Sequence, residues 1–131
     1  MLVVDASVLV TALAGSPSEG GQVRDRLRGE QLSAPELVDL EIAATLRGLV
    51  RGGRIDEWRA ALALADLADL PLRRATHRPL VARCWEFRDN VTVYDGAYVA
   101  LAELLDVTLL TADARLARAP GLRCRVEVLT G

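Results

Sequence analysis

An apolar run at the start of the chain, Leu2-Val3-Val4, has the composition of a strand buried in a parallel sheet. The run stops at Asp5, and residues 6–13 have the composition of a helix. Asp5 therefore stands where a strand ends and a helix begins, and its side chain can cap the first turn. In open α/β sheets this carboxyl edge is also where ligands bind. Capping alone could explain Asp5, so the question is whether other acids reach the same edge.

Short apolar segments alternate with helical segments along the rest of the chain. Further strands are predicted at 31–34, 70–72 (a short edge strand), 107–111 and 125–129, and helices at 22–28, 36–51, 55–69, 76–88, 95–105 and 112–118. Residues 15–21 have the composition of a loop, Pro35 suits the first turn of a helix, and Thr76 is the expected cap of the helix that follows it. The alternation predicts a three-layer α/β/α sandwich with a mainly parallel sheet of roughly five strands. Without a repeat or a long linker, we expect residues 1–131 to form a single domain.

The residue types that are absent exclude several mechanisms. All 16 basic residues are arginine, so no lysine is available for a Walker A motif, a Schiff base or a Ser-Lys dyad. His77 is the only histidine and cannot form a two-histidine acid–base pair. The formal charge of −2 argues against a protein that coats polyanions. If the chain is an enzyme, its carboxylates and a metal ion must carry the chemistry.

The two cysteines and the apolar runs bear on location. Cys84 and Cys124 form no Cys-x-x-Cys pair, which suggests a reducing compartment. No apolar run is as long as a membrane span, and an acid stands where a signal peptide would have basic residues. We therefore expect a cytoplasmic protein with no membrane association.

Glu41 is the acid that fits a surface position least well. On a helix beginning at Glu36, the residues Glu36, Asp39, Arg47 and Arg51 share one polar face. At about 100° per residue, Glu41 lies roughly 135° from the centre of that face, among Leu and Val neighbours. A carboxylate in such surroundings needs a partner, a cation or a raised pKa.

Two more acids follow the pattern of Asp5. Asp95 begins an apolar helix and Asp113 follows the strand at 107–111, and each alone could be an ordinary helix cap. In a parallel sheet, however, Asp5 and Asp113 would lie at the same edge, and Glu41 and Asp95 would approach it from helices. Four converging carboxylates repel one another unless cations neutralise them, and oxygen ligands select Mg²⁺ or Mn²⁺. Such a site can activate water and clamp a phosphodiester.

Four short motifs resemble the PIN-domain family, and within it the VapC-type toxins of bacterial toxin–antitoxin pairs. They contain Asp5 with Ser7, Glu41, the run Tyr94-Asp95-Gly-Ala-Tyr98, and Thr111 with Asp113. Each motif is short, but they occur in the family's order and span nearly the whole chain.

The resemblance implies a metal-dependent endoribonuclease in which Asp5, Glu41, Asp95 and Asp113 form the acidic site. Ser7 and Thr111 match polar positions that support the site, and Ser7 can hold Asp5. The resemblance also implies a homodimer and an antitoxin partner that blocks the site. Arg115 stands where some relatives have a further acid or polar residue, a departure that concerns a second metal site.

Arginines near the predicted helices are candidate contacts for RNA. Arg47, Arg51 and Arg54 lie near the Glu41 helix, and Arg73, Arg74 and Arg78 precede the next one. As a set they could follow an RNA backbone, although a single surface arginine is more often merely solvated. The aromatic residues Tyr98, Trp58 and Trp85 are interpreted as core or dimer contacts rather than as platforms for bases.

Two alternatives to the nuclease remain open at this point. A phosphoacceptor signalling domain also gathers acids at strand ends, but it normally needs a nearby lysine. A PIN-fold module that only binds partners is disfavoured by the presence of all four acids.

Overall fold

The computed structural model of the protein describes residues 1–129 and contains one five-stranded sheet. All four strand pairs are parallel, and the strand order is β3-β2-β1-β4-β5. The strands are β1 (Leu2–Val4), β2 (Leu32–Pro35), β3 (Leu72–Ala75), β4 (Thr108–Thr111) and β5 (Val126–Val128). The predicted α/β class is confirmed, and the sheet is parallel throughout. β1 lies at its centre, as expected of its uninterrupted apolar run.

Seven α-helices flank the sheet in the part of the chain that the structure describes. They are α1 (Ala6–Ala14), α2 (Pro17–Leu27), α3 (Val38–Arg51), α4 (Glu57–Asp69), α5 (Val81–Glu86), α6 (Val93–Leu105) and α7 (Ala114–Ala117). Helix α6 packs against β1, β2 and β4 and is covered in turn by α5, whereas α1 packs against α2, α3 and α4. The carboxyl ends of β1 and β4 therefore have helices on both sides.

The core consists of aliphatic side chains on the central strands and of one nearly all-buried helix. Val3, Val4, Leu109 and Leu110 are fully buried in β1 and β4. Every residue from 96 to 102 in α6 is also buried, which explains why this helix carries so few polar groups. Because the core fixes the central strands, it also fixes the positions of the residues that directly follow β1 and β4.

The predicted loop at 15–21 is wrong, because α2 begins inside it at Pro17. Ser16 caps that helix by accepting a hydrogen bond from the Glu19 amide (3.2 Å), and Pro17 suits its first turn. Gly20 is needed for packing rather than for a turn: a Cβ atom there would lie 3.0 Å from the Thr11 carbonyl oxygen of α1. Gly20 therefore allows α2 to approach α1 closely.

Five other predicted helix starts are also displaced; α4 and α7 begin two residues late, at Glu57 and Ala114, and the other three have an identifiable cause. Pro35 is the last residue of β2, and the Glu36 amide donates to the Ala75 carbonyl, so α3 begins only at Val38. The edge strand β3 spans 72–75 instead of 70–72, and Thr76 is therefore not a helix cap; a 3₁₀ turn at Arg78–Leu80 precedes α5. Helix α6 begins at Val93 and is capped by Thr92, which places Asp95 inside the first turn.

Across residues 1–129, none of the helices combines the length and the apolar character needed to cross a bilayer.

Candidate active site

Asp5 lies directly after β1, and other groups hold both of its carboxylate oxygens. Oδ1 accepts hydrogen bonds from the Ser7 hydroxyl (2.5 Å) and from the Val8 amide (3.2 Å), so Asp5 does cap α1. Oδ2 accepts a hydrogen bond from the Thr111 hydroxyl. Burial raises the pKa of Asp5; these hydrogen bonds oppose the rise, and the charge of Asp95 adds to it. Asp5 is thus a helix cap whose carboxylate is held in place and whose ionisation is disfavoured by burial.

Thr111 joins the ends of the two central strands. Val4 and Leu110 are register partners in β1 and β4, so the next residue on each strand lies at the same edge. The fully buried Thr111 donates to Asp5, and its hydroxyl oxygen accepts from the Asp113 amide (3.0 Å). Ser7 adds a second link, because its oxygen accepts a hydrogen bond from the Ala112 amide (3.4 Å).

Asp113 caps α7, which is one of the two roles predicted for it from the sequence. Its Oδ1 accepts a hydrogen bond from the Arg115 amide (2.9 Å), and this bond is the main reason that its pKa is lowered. The Arg115 side chain adds a 3.4 Å ion pair with the same oxygen. Both contacts with Arg115 are made through Oδ1, so Arg115 leaves Oδ2 of this carboxylate unoccupied.

Glu41 projects from the first turns of α3 toward α6, away from the polar face of its own helix. Its Oε1 accepts a 2.5 Å hydrogen bond from the hydroxyl of the buried Tyr98. Burial raises the pKa of Glu41, the Tyr98 bond lowers it, and the charges of Asp95 and Asp5 raise it further. The partner that the sequence required for this acid is therefore a tyrosine hydroxyl.

Asp95 is not a helix cap. Thr92 has that role, since its hydroxyl accepts the Asp95 amide hydrogen (3.1 Å). The Asp95 carboxylate is consequently free of capping, and its charge raises the pKa of both Asp5 and Glu41. Asp95 and Asp113 line the same surface cleft.

The four acids are linked to one another without forming a closed cage. Within residues 1–129, no three Asp, Glu, His or Cys side chains lie close enough together to hold one ion as they are placed. The charge of Asp95 nevertheless acts on both Asp5 and Glu41, and Thr111 links Asp5 to Asp113. The arrangement is a set of repelling carboxylates at one edge of the sheet.

The six arginines predicted to bind RNA lie elsewhere on the surface. Arg47 and Arg51 line a largely apolar groove between α3 and α4, and Arg54 lines a groove at the end of α1. Arg74 forms a two-bonded ion pair with Asp39 (2.8 and 3.0 Å), and Arg73 is an exposed residue of β3. None of them lines the cleft of Asp95 and Asp113. Their role in binding RNA stays a prediction.

Of the three aromatic residues interpreted from the sequence, one is buried and two are exposed. Tyr98 belongs to the core, as interpreted, but its hydroxyl also holds Glu41, which the sequence interpretation missed. Its position three residues after Asp95, on the same helix face, was the available signal. Trp58 and Trp85 are exposed, so they are not core residues.

Comparison with known proteins gives a consistent result at the level of sequence. The family model described as "PIN domain" matches residues 2–122. Ribonuclease VapC1 of Mycobacterium tuberculosis is 44% identical over 128 residues, which are 97% of this chain and 96% of that protein. Ribonuclease VapC12 of the same organism is 38% identical over 129 residues, covering 98% of this chain and 99% of that protein.

Solved structures of more distant proteins have the same fold. The crystal structure of Mycobacterium tuberculosis VapC20, a toxin that cleaves the sarcin–ricin loop, has a TM-score of 0.68 at 17% identity, with 93% of this chain and 96% of that chain covered. VapBC2 from Rickettsia felis, bound to a DNA fragment from its promoter, has a TM-score of 0.67 at 14% identity, with 97% of each chain covered.

Proposed function

The chain belongs to the PIN-domain family, and from that premise we propose that it is a metal-dependent endoribonuclease of the VapC toxin type. In this proposal Asp5, Glu41, Asp95 and Asp113 form the active site, and Ser7 and Thr111 support it. The phosphoacceptor alternative loses its basis, because the chain has a PIN domain and lacks the lysine that such a domain needs.

One observation carries the proposal: Asp5, Glu41 and Asp95 come from three different parts of the chain, yet the charge of Asp95 disfavours ionisation of both Asp5 and Glu41. Burial already raises the pKa of Asp5 and Glu41, and the charge of Asp95 raises both further. A fold that needed these residues only as caps would gain nothing from this repulsion. Groups whose pKa is perturbed by burial and like charges are characteristic of functional sites.

The donor set fits Mg²⁺ or Mn²⁺ in its chemistry. Every candidate ligand is a carboxylate oxygen, the kind of ligand that these hard cations select. A bound divalent ion would offset the repulsion between Asp5, Glu41 and Asp95. These three side chains would have to move closer together to hold the ion. The ion supplies activation of water and neutralisation of the phosphodiester charge.

The protein's own residues orient the carboxylates for this task. Ser7 and Thr111 fix Asp5 on both oxygens, so its charge cannot turn away from the edge of the sheet. Tyr98 has a strongly raised pKa, caused mainly by burial and by its bond to Glu41, and therefore keeps its proton. Because Tyr98 occupies only Oε1 of Glu41, Oε2 is left for an ion: no donor within the described residues reaches it.

We extend the proposal to three partners: an RNA strand as substrate, an antitoxin protein and a second copy of the chain. The relatives named as VapC ribonucleases support the first, and the second follows from the VapC toxin type proposed above. Exposed apolar side chains give a surface that partner proteins could cover, including Leu40, Trp58, Leu62 and Leu64 on α3 and α4.

The test is cleavage of RNA by the purified chain. Wild-type protein should cut a mixture of structured and single-stranded RNA in Mg²⁺ or Mn²⁺ but not in EDTA. Asp95→Asn should be inactive, while Asp66→Asn, which changes an acid on the distant helix α4, should retain activity. Equal cleavage by Asp95→Asn would refute the assignment of the site, and a wild type that cuts no RNA would favour the PIN-fold binding module.

A further inference from the structure

We propose that Arg88 and Arg115 hold the phosphate backbone of the RNA strand as it reaches the acidic site. The proposal rests on the proposed nuclease function and assigns a substrate cleft to it. Both arginines line a cleft of about 470 Å³ that also contains Asp95 and Asp113. Arg88 comes from the segment between α5 and α6, and Arg115 from α7, so the cleft is built from two separate parts of the chain.

Arg88 and Arg115 are the groups in the cleft that can attract an anion. Among the described residues, three acids line it, Asp89, Asp95 and Asp113, and Arg88 and Arg115 are its only cationic groups. A phosphodiester that approaches Asp95 or Asp113 would be repelled without them. Arginine is also the side chain best suited to bind phosphate through two parallel hydrogen bonds.

Arg88 is free of carboxylate partners in the described part of the chain, yet its position is fixed. Its guanidinium carbon lies 4.5 Å from the centroid of the Trp85 ring, and Nη1 donates a 2.9 Å hydrogen bond to the Trp85 carbonyl. The Trp85 side chain is itself exposed. A cation held on an aromatic ring retains its charge and its outward donors while losing little freedom on binding. Trp85 is thus a positioning residue for Arg88.

Arg115 is available for a different reason. Its side chain is 86% exposed, and its ion pair with Asp113 is long, at 3.4 Å. An exposed pair of this kind contributes little, so the guanidinium can leave Asp113 for a phosphate at small cost. This exchange would also remove the guanidinium from Asp113 when substrate enters, while the Arg115 amide continues to hold Oδ1.

The other exposed arginines lack this combination of properties. Arg74 is held by Asp39 through two short bonds, and Arg28 by Asp25 at 3.0 Å. Arg47 and Arg51 line the apolar groove instead. The RNA could therefore follow either the cleft or the arginines predicted from the sequence. A binding experiment distinguishes these two paths.

The experiment measures the binding of a fluorescein-labelled 15-nucleotide single-stranded RNA by anisotropy. Asp5→Asn serves as the background, because it prevents cleavage without altering a residue that lines the cleft. Added to this background, Arg88→Gln and Arg115→Gln should each weaken binding about fivefold and lower the slope of log K against log salt by about 0.7. Arg28→Gln removes the same charge away from the cleft and should change neither quantity, whereas Arg47→Gln and Arg73→Gln test the other path that the sequence predicts for the RNA. Trp85→Leu should weaken binding but keep the salt slope, since the charge of Arg88 remains.

The result that overturns the inference is equal binding by the cleft variants and the background protein, or an equal loss in Arg47→Gln and Arg73→Gln. Absence of RNA binding by the background protein also overturns it. A parallel measurement in the active protein separates this inference from the nuclease function. There Arg88→Gln should raise KM more than it lowers kcat; if wild type cleaves RNA and this variant has the same KM, the inference fails while the proposed function stands.

Discussion

The hydroxyl of Tyr98 on α6 lies 2.5 Å from Oε1 of Glu41 on α3 and donates a hydrogen bond to it. The bond joins two helices at the carboxyl edge of the sheet and holds the acid that least suits its surroundings. It also opposes the rise in the pKa of Glu41 that burial causes. A core residue therefore sets the charge and direction of an acid in the candidate site.

Tyr98→Phe should preserve the buried ring but remove this bond. We expect the transition state to lose about 1 kcal/mol of stabilisation, which corresponds to a fall of about fivefold in kcat/KM for RNA cleavage. The matched control is Tyr94→Phe, an exposed tyrosine in the same helix. Cleavage by Tyr98→Phe at the wild-type rate would show that Glu41 needs no such partner.

Asp5→Asn should stabilise the metal-free protein at neutral pH. A carboxyl whose folded pKa is raised favours folding at low pH, and this contribution is lost as pH rises through the folded pKa. The asparagine keeps the cap and removes the charge, so its melting temperature should exceed that of wild type at pH 7, and the gap should narrow toward pH 4. Melting curves in EDTA measure it; a variant that melts below wild type at both pH values would contradict the account.

Mn²⁺ should reverse that order. A ligand that binds only the folded state raises stability by mass action, so Mn²⁺ should raise the melting temperature of wild type and leave that of Asp5→Asn nearly unchanged. Ca²⁺-free buffers with and without Mn²⁺ at pH 7 give the comparison. Equal shifts in the two proteins would place the ion somewhere other than Asp5.

Glu103→Gln should destabilise the fold at neutral pH but not in acid. Glu103 accepts from Arg83 (2.7 Å) and from the Arg123 amide (2.7 Å), and its side chain is only 11% exposed. Burial opposes the charge, but these bonds and the nearby arginines lower its pKa, so its contribution is present above the ordinary pKa of Glu and lost as pH falls through the lower folded value. We expect a loss of about 2 kcal/mol at pH 7, measured by urea unfolding.

The control for this prediction is Glu86→Gln. Glu86 binds the same arginine but is mostly exposed, so its loss should cost less than about 1 kcal/mol. Equal losses in the two variants, or a loss in Glu103→Gln that persists unchanged at pH 3, would be evidence against the pairing as described.

His77→Phe should loosen the start of the helix that carries Glu41. His77 Nε2 accepts a 3.0 Å hydrogen bond from the Leu37 amide, directly before α3, and so satisfies a donor that the helix leaves free. We expect unfolding to become about 1 kcal/mol easier, with partial recovery in His77→Gln, whose amide oxygen can accept the same bond. If His77→Gln has the same free energy of unfolding as His77→Phe, the hydrogen bond from the Leu37 amide contributes nothing to stability.

The sequence was sufficient for the fold class because the apolar segments have strand length and alternate with helices. It placed Asp5 and Asp113 correctly at one edge, since residues after neighbouring parallel strands must meet there. It failed at 15–21, where serine, proline and glycine resemble a loop but serve as a cap, a first turn and a close contact. Composition alone does not separate these uses.

The contacts between helices were beyond prediction from sequence. Tyr98 and Glu41 come from two helices that meet only after packing, so the sequence does not show which residue Tyr98 reaches. Arg88 and Trp85 are only three residues apart, but whether the arginine rests on the ring depends on the course of the chain after α5. The cap of α6 is a different case, because Thr92-Val-Tyr-Asp95 matches the capping-box pattern and the sequence interpretation missed that signal.

The most direct test of the central claim is calorimetric titration of Mn²⁺ into wild-type protein and into Asp5→Asn/Asp95→Asn. We predict saturable binding in wild type and none in the double variant, because each substitution removes a charged ligand from one side of the same site. Equal binding in both proteins, or none in either, would mean that these acids do not share an ion and would contradict the account.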